Sequence, residues 1–479
     1  MISLSPPDIL VILIYFGVVL FIGFRSAVKT SSDPEDFLLA GRSLTLPIFV
    51  MTLVSTWYGG ILGVGEFSYR YGISNWIVQG VPYYIFAGIF AATLAKKIQG
   101  TRLYSIPDKL ELSYDRKTAI LGAVLTFILT TPAPYILMIS VFIQMLFGLD
   151  LMSSLAVTAV VALSYLYWGG FRADIQTDVF EFFMMFAGFA IIIPFCYGQL
   201  GGFDYLRNHL PPLHLTWHGG NSIQYIFVWF FIALWTLIDP AFHQRCYAAK
   251  DGNVARKGIF ISILFWLVFD FMTATAGLYA RAALPHLSDP MMAYPMLAEN
   301  ILPPVAKGLF YTGMLATIMS TLNTLAFISA QTIGRDIIGR LKASKTENKT
   351  DQRSMEISST RWTRIGLIIT IIFSVILAVI LPSVVKIWYT VGTLVVPGLL
   401  LPVVASYFKR LHISARYAFL AMICSWVASS CWFLASILPN FSGGYPFNIE
   451  PIYIGLLVSL IIWVIGKFYS TSSRSLHKN

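Results

Sequence analysis

Long apolar runs separated by short polar stretches fill the chain from end to end. A hydrocarbon core about 30 Å thick needs about 20 apolar residues per crossing helix. About thirteen runs reach that length. They lie near 7–25, 44–70, 74–95, 118–148, 150–168, 175–199, 223–243, 258–282, 305–334, 363–385, 387–407, 415–437 and 449–466. The pattern predicts an all-α integral membrane protein with about 13 transmembrane helices, residues 1–479 forming a single transmembrane domain. The longest expected loop, about 335–362, is too short for a soluble domain. The start "MISLSPPD" has no basic residue, so the first span is expected to be retained, not cleaved.

Three runs carry polar or helix-breaking residues that an ordinary lipid-facing span would not. In "GMLATIMSTLNTLAFISAQ", Gly313, Thr317, Ser320, Thr321 and Thr324 fall at i, i+4, i+7, i+8 and i+11, on one helical face. Either those hydroxyls bond back to carbonyls one turn earlier, or they face something polar. Span 2 contains "LVSTWYGGILGVGE", where each interior glycine costs about 1 kcal/mol relative to alanine. Unwound backbone at membrane depth is tolerated only against protein or a wet cavity. The other reading of these glycines is close packing, since Gly59 and Gly63 form a small-xxx-small pair. Span 7 is interrupted by Asp239-Pro240, which predicts a break or a simple proline kink. The two interruptions lie five spans apart. That suits two five-helix halves, spans 2–6 (about 44–199) and 7–11 (about 223–407). Interrupted segments at matching positions in two halves point to a transporter's binding site.

Composition sharpens this picture. Hydrophobic residues make up 57% and charged residues 12%, against roughly 25% charged in soluble domains. The net charge of +10 is not spread evenly. If the spans alternate, all but five of the 33 Lys and Arg fall in the loops after odd-numbered spans. That asymmetry places the N-terminus outside and the C-terminus in the cytoplasm. The basic loops meet anionic lipid and require no nucleic-acid partner. Cys196, Cys246, Cys424 and Cys431 read as buried small apolar residues, not as a disulfide framework or metal site.

Five segments in order carry a resemblance: "FLLAGRSL" (37–44), "IPDKLE" (106–111), "GGFRADIQTDVFE" (169–181), "DPAFHQRCYAAKD" (239–251) and "ATIMSTLNT" (316–324). Over roughly residues 7–465 the chain resembles the sodium:solute symporter family, which includes proline, sialic acid, pantothenate and glucose symporters. The resemblance implies a LeuT-type five-plus-five inverted repeat with extra helices at both ends. It implies sodium-coupled uptake of a small organic solute by alternating access, with no cofactor beyond the coupling ion. It assigns a sodium site to the carbonyls of Ser55, Tyr58 and Thr317 and the hydroxyls of Ser320 and Thr321. Neutral oxygens suit a hard cation and release it readily. Asp178, with Asn323 and Thr324, is implied as a second ion site or exit path; Asn323 replaces the usual small hydroxyl residue. The competing reading of Asp178 is a helix cap or a pair with Arg172. Solute is expected between the two breaks, at Thr56, Trp57, Gly59, Gly60, Gln79, Tyr83, Trp235, Thr236 and Asp239. Trp57 stands where proline symporters carry an Asp, which weakens a proline assignment.

Other readings keep the same fold. Glu66 or Glu181 could carry a proton in place of sodium, or transport could be uncoupled. A membrane solute sensor is a different class, but such modules usually carry a signalling domain, and this chain closes on "GKFYSTSSRSLHKN". An enzyme is disfavoured, because "HLPPLHLTWH" spaces His209, His214 and His218 for no helical metal pair. The expected location is a bacterial inner membrane.

Overall fold

The computed structural model describes residues 3–29, 34–343, 352–381, 383–436 and 445–476. Residues 344–351, inside the longest expected loop, lie outside that set. Among the described residues the structure is helical, with one isolated bridge between Leu44 and Ala249. Among the described residues, eleven helices are long and apolar enough to cross a membrane, or twelve if a bent pair is one span.

The bent pair is the expected broken second span. Leu46–Trp57 and Ile61–Tyr71 meet at 60°. Gly59 and Gly60 earn their place through space. A Cβ at Gly59 would lie 2.3 Å from Thr321 Cβ, and one at Gly60 2.2 Å from the Trp388 ring. The break is therefore present, and Gly59 and Gly60 are closely packed as well, while Gly63 lines a cavity.

The second interruption is built differently. An α-helix, Ile223–Ile232, tightens into a 3-10 segment, Ala233–Ile238. Asp239 then caps a new helix, Pro240–Ala248, accepting from the amides of Ala241 at 2.7 Å and Phe242 at 3.2 Å. Proline at the first turn loses no hydrogen bond there.

The longest helix, Leu151–Leu200, has non-helical dihedrals at Gly170 (φ 56°, ψ −147°). That positive φ favours glycine, and a Cβ would lie 2.6 Å from the Phe37 carbonyl oxygen. Its second part packs on Ala306–Gln331 so tightly that a Cβ at Gly188 would lie 2.8 Å from Gly313 Cα. Among the described spans, Ala306–Lys342, which begins with the helix Ala306–Gln331, is the most enclosed, with 94% of its apolar window buried. Its hydroxyl face therefore meets protein, not lipid.

Three of the family-like segments hold the loops at one end of the bundle. Asp108 of "IPDKLE" accepts from Arg335 at 2.9 Å and from Arg340, and Glu111 accepts from Arg340 at 2.8 Å. Burial alone would raise the Asp108 carboxyl, but Arg335 and Arg340 outweigh it and hold it below the usual range. Arg42 of "FLLAGRSL" donates to the carbonyls of Leu103 and Tyr247, each at 3.1 Å. Arg172 pairs with Asp36, not with Asp178. Cys196 and Cys246 are buried as expected, whereas Cys424 is half-buried and Cys431 exposed on the helix Ala415–Ala435.

Candidate ion and solute site

The first break faces the enclosed helix directly. Thr321 Oγ1 donates to the Thr56 carbonyl oxygen at 2.6 Å and bonds back to the Thr317 carbonyl at 3.3 Å. The contact across helices is thus the shorter one. Ser55, Tyr58, Thr317, Ser320 and Thr321 are all buried around this contact. Their side chains differ in role. Ser55 bonds back to the Thr52 carbonyl at 3.2 Å, and Thr317 to that of Met314 at 2.6 Å. Tyr58 OH donates to the Trp266 carbonyl at 2.8 Å and to Asp270 at 2.9 Å. Ser320 Oγ turns to Asp178 Oδ1 at 2.6 Å.

Behind this contact lies a buried ionic cluster. Arg245 and Asp178 are both fully buried and pair at 2.9 Å. The guanidinium also donates to Thr324 Oγ1 at 3.1 Å, to Thr52 Oγ1 at 3.3 Å and to Thr56 Oγ1. Thr324 Oγ1 donates onward to Asp174 at 2.8 Å. Asn323 donates to Tyr165 OH and makes no hydrogen bond to the guanidinium among the described residues. Asp174, Asp178 and Glu181 recur on one helical face, and Glu181 accepts from Tyr15 OH at 3.1 Å. Glu66 instead pairs with the half-exposed Arg70 at 3.0 Å. The charge pattern counts Arg245 among the loop cations. In the fold it is a core residue, carried inward by the helix that Asp239 caps.

On the other side of Thr56 a cavity of about 180 Å³ opens. Of the residues expected to meet solute, Thr56, Trp57, Gly60, Gln79, Tyr83, Trp235 and Asp239 line it. Gly59 does not; it packs against Thr321 and Tyr135. Thr236 is also outside the lining, buried in the 3-10 segment. Thr321 itself lines the cavity, so the hydroxyl at the break touches both regions. Asp270, Tyr135 and Trp388 line it too and are absent from the expected set. Asp270 carried a signal, a lone acid within an apolar run; the two aromatics carried none. The buried His214 is engaged structurally, with Nε2 2.9 Å from the Tyr69 carbonyl.

Comparison with known proteins gives the family and the fold. The sodium:solute symporter family pattern matches residues 37–423. The sodium/pantothenate symporter of Escherichia coli (strain K12) is 24% identical over 489 residues, covering 97% of each chain. Sodium/glucose cotransporter 1 of Sus scrofa is 25% identical, over 72% of this chain and 60% of its own. Among solved structures, a Na+-coupled sialic acid symporter in a substrate-bound outward-open state superposes with a TM-score of 0.78 at 12% identity, covering 97% of this chain and 98% of that one. Mhp1, a nucleobase-cation-symport-1 family transporter, gives 0.54 at 11% identity, covering 89% and 93%. The chain belongs to the sodium:solute symporter family: it is a multi-pass membrane transporter, not an enzyme, and couples sodium to solute uptake.

Proposed function

We propose that one sodium ion binds where the broken second span meets Ala306–Gln331, using the carbonyls of Ser55, Tyr58 and Thr317 and the hydroxyls of Ser320 and Thr321. The observation that carries this is the 2.6 Å bond from Thr321 to the Thr56 carbonyl, beside a cavity that both residues line. Main-chain carbonyl and hydroxyl converge there without a carboxylate between them. Sodium holds the outward-open form; solute then fills the cavity and the two halves rock inward. One charge crossing 100 mV supplies about 2.3 kcal/mol, enough for tens-fold accumulation.

The Asp178, Asn323 and Thr324 cluster is the ion's exit path in this reading. Arg245 is its resident cation, and a second sodium would have to displace that guanidinium from Asp178 and Thr324. The coupling ratio is therefore one. We also propose thirteen spans in a LeuT-type five-plus-five core. At 1.5 Å per residue, a 50-residue helix would run about 75 Å, more than twice the hydrocarbon core, so Gly170 divides it into two crossings. The N-terminus lies outside and the C-terminus inside, in a bacterial inner membrane, with the basic loops against anionic lipid. The relatives carry pantothenate and glucose by name, and a small organic solute of that scale is the cargo here.

The test is uptake of labelled small solutes into proteoliposomes with an imposed inward sodium gradient. Accumulation that needs the gradient, with sodium dependence of Hill slope near one, is expected. A slope near two would overturn the single-ion assignment.

A further inference from the structure

The cavity tells more about the solute than its size does. Asp239 and Asp270 both line it, and none of its lining residues is Lys, Arg or His. Asp239 spends Oδ1 on two helix amides; no hydrogen bond to its Oδ2 is found among the described residues. The side chain is only half-buried, since the cavity opens beside it. Asp270 has both oxygens engaged, by Tyr58 and Tyr84. It offers no idle acceptor.

The nearest buried cation sits one layer deeper. Arg245 pairs with Asp178 behind Thr56 and lies outside the cavity lining. The remaining wall is aromatic. Trp57, Tyr83, Trp235 and Trp388 line the cavity and are each half-buried. Trp57 and Tyr83 meet edge to face, with centroids 5.1 Å apart. In that arrangement the rings turn different surfaces to the space between them. Aromatic faces attract a cation within about 6 Å of the centroid, and more strongly once it is desolvated. Two carboxylates and an aromatic wall, with no basic residue, suit a positively charged nitrogen and oppose a lone anion.

We propose that the transported solute carries an ammonium group, which sits among these aromatic rings and faces Asp239. This deepens the solute-site reading above and rests on it. Three probes of one shape separate charge from fit: tert-butylammonium, tert-butanol and pivalate. Each is titrated into the purified full-length chain in sodium-containing buffer at constant ionic strength, followed by tryptophan fluorescence. The expected result is binding of tert-butylammonium at least tenfold tighter than of tert-butanol, with pivalate weakest. Asp239→Asn keeps the capping oxygen and should remove most of that preference, as should Asp270→Asn in an independent preparation. The solute-free response to sodium is recorded on the same samples. If that response is present and tert-butylammonium binds no better than tert-butanol, or not at all, the ammonium inference is wrong while the ion reading stands. An unchanged preference in both variants would also overturn it. A wild-type protein without any sodium response would instead undo the underlying site.

Discussion

The two breaks in this bundle look alike in sequence and differ in chemistry. The second restarts its helix under a cap: Asp239 takes two amides, and Pro240 supplies a turn that lacks a donor. The first restarts at Gly60 with no side-chain cap. Its Thr56 carbonyl instead receives a hydroxyl from another helix. A capped break is electrostatically closed, so it can shape a cavity wall and orient a carboxylate. At the first break the last carbonyls of Leu46–Trp57 have no partner in their own helix and are left for something that comes and goes. The proposed assignment of sodium to the first break, and of solute to the space between the two, rests on this difference. Arg245 links them, reaching from the capped helix to Thr52 and Thr56 of the uncapped one.

That link gives the largest expected effect. Arg245→Met leaves Asp178 buried without its partner, and breaking such a pair costs about 3–5 kcal/mol. Thermal unfolding in detergent should show a large loss, and Arg245→Met combined with Asp178→Leu should recover much of it. Recovery of stability without transport would separate the structural pair from its place on the ion path. Next comes the space at the uncapped break. Gly59→Ala drives a methyl into Thr321, and overpacking of about 1–3 kcal/mol converts to a fall in sodium affinity of up to about 100-fold. The comparison weakens if equilibrium sodium binding by this variant matches wild type.

The capped break should respond more gently. Asp239→Ala loses a cap worth about 1 kcal/mol, while Asp239→Asn retains an acceptor and should lose a fraction of that. Equal melting shifts for the two would mean the cap is not what holds the second break. The smallest effect lies away from both breaks. Asp108 has a folded-state pKa below its unfolded value of about 3.9, because Arg335 and Arg340 hold it charged. Its contribution is complete above about pH 4 and disappears as pH falls through the folded value. Asp108→Asn should therefore flatten the acid limb of a melting-temperature profile and leave the neutral region offset but parallel.

Much of this was legible before any coordinates. Polar residues inside apolar runs are expensive, so the face from Thr317 to Thr324 and the glycine run of span 2 stand out. They meet where the resemblance implied. Arg245 did not stand out, because it follows a break and precedes Lys250, Arg256 and Lys257, a setting that reads as a basic loop. Only the path of the capped helix turns it inward. Gly59 lies outside the cavity lining and gives close approach to a neighbouring helix. Trp388 and Tyr135 reach the cavity through long-range packing, which no local pattern encodes.

Equilibrium binding of radiolabelled sodium to the purified chain, without solute, bears most directly on the central claim. Wild type should bind one ion per chain, and Thr321→Ala should lose at least tenfold in affinity while Asp239→Asn stays near wild type. Undiminished binding by Thr321→Ala would contradict the assignment of sodium to the uncapped break.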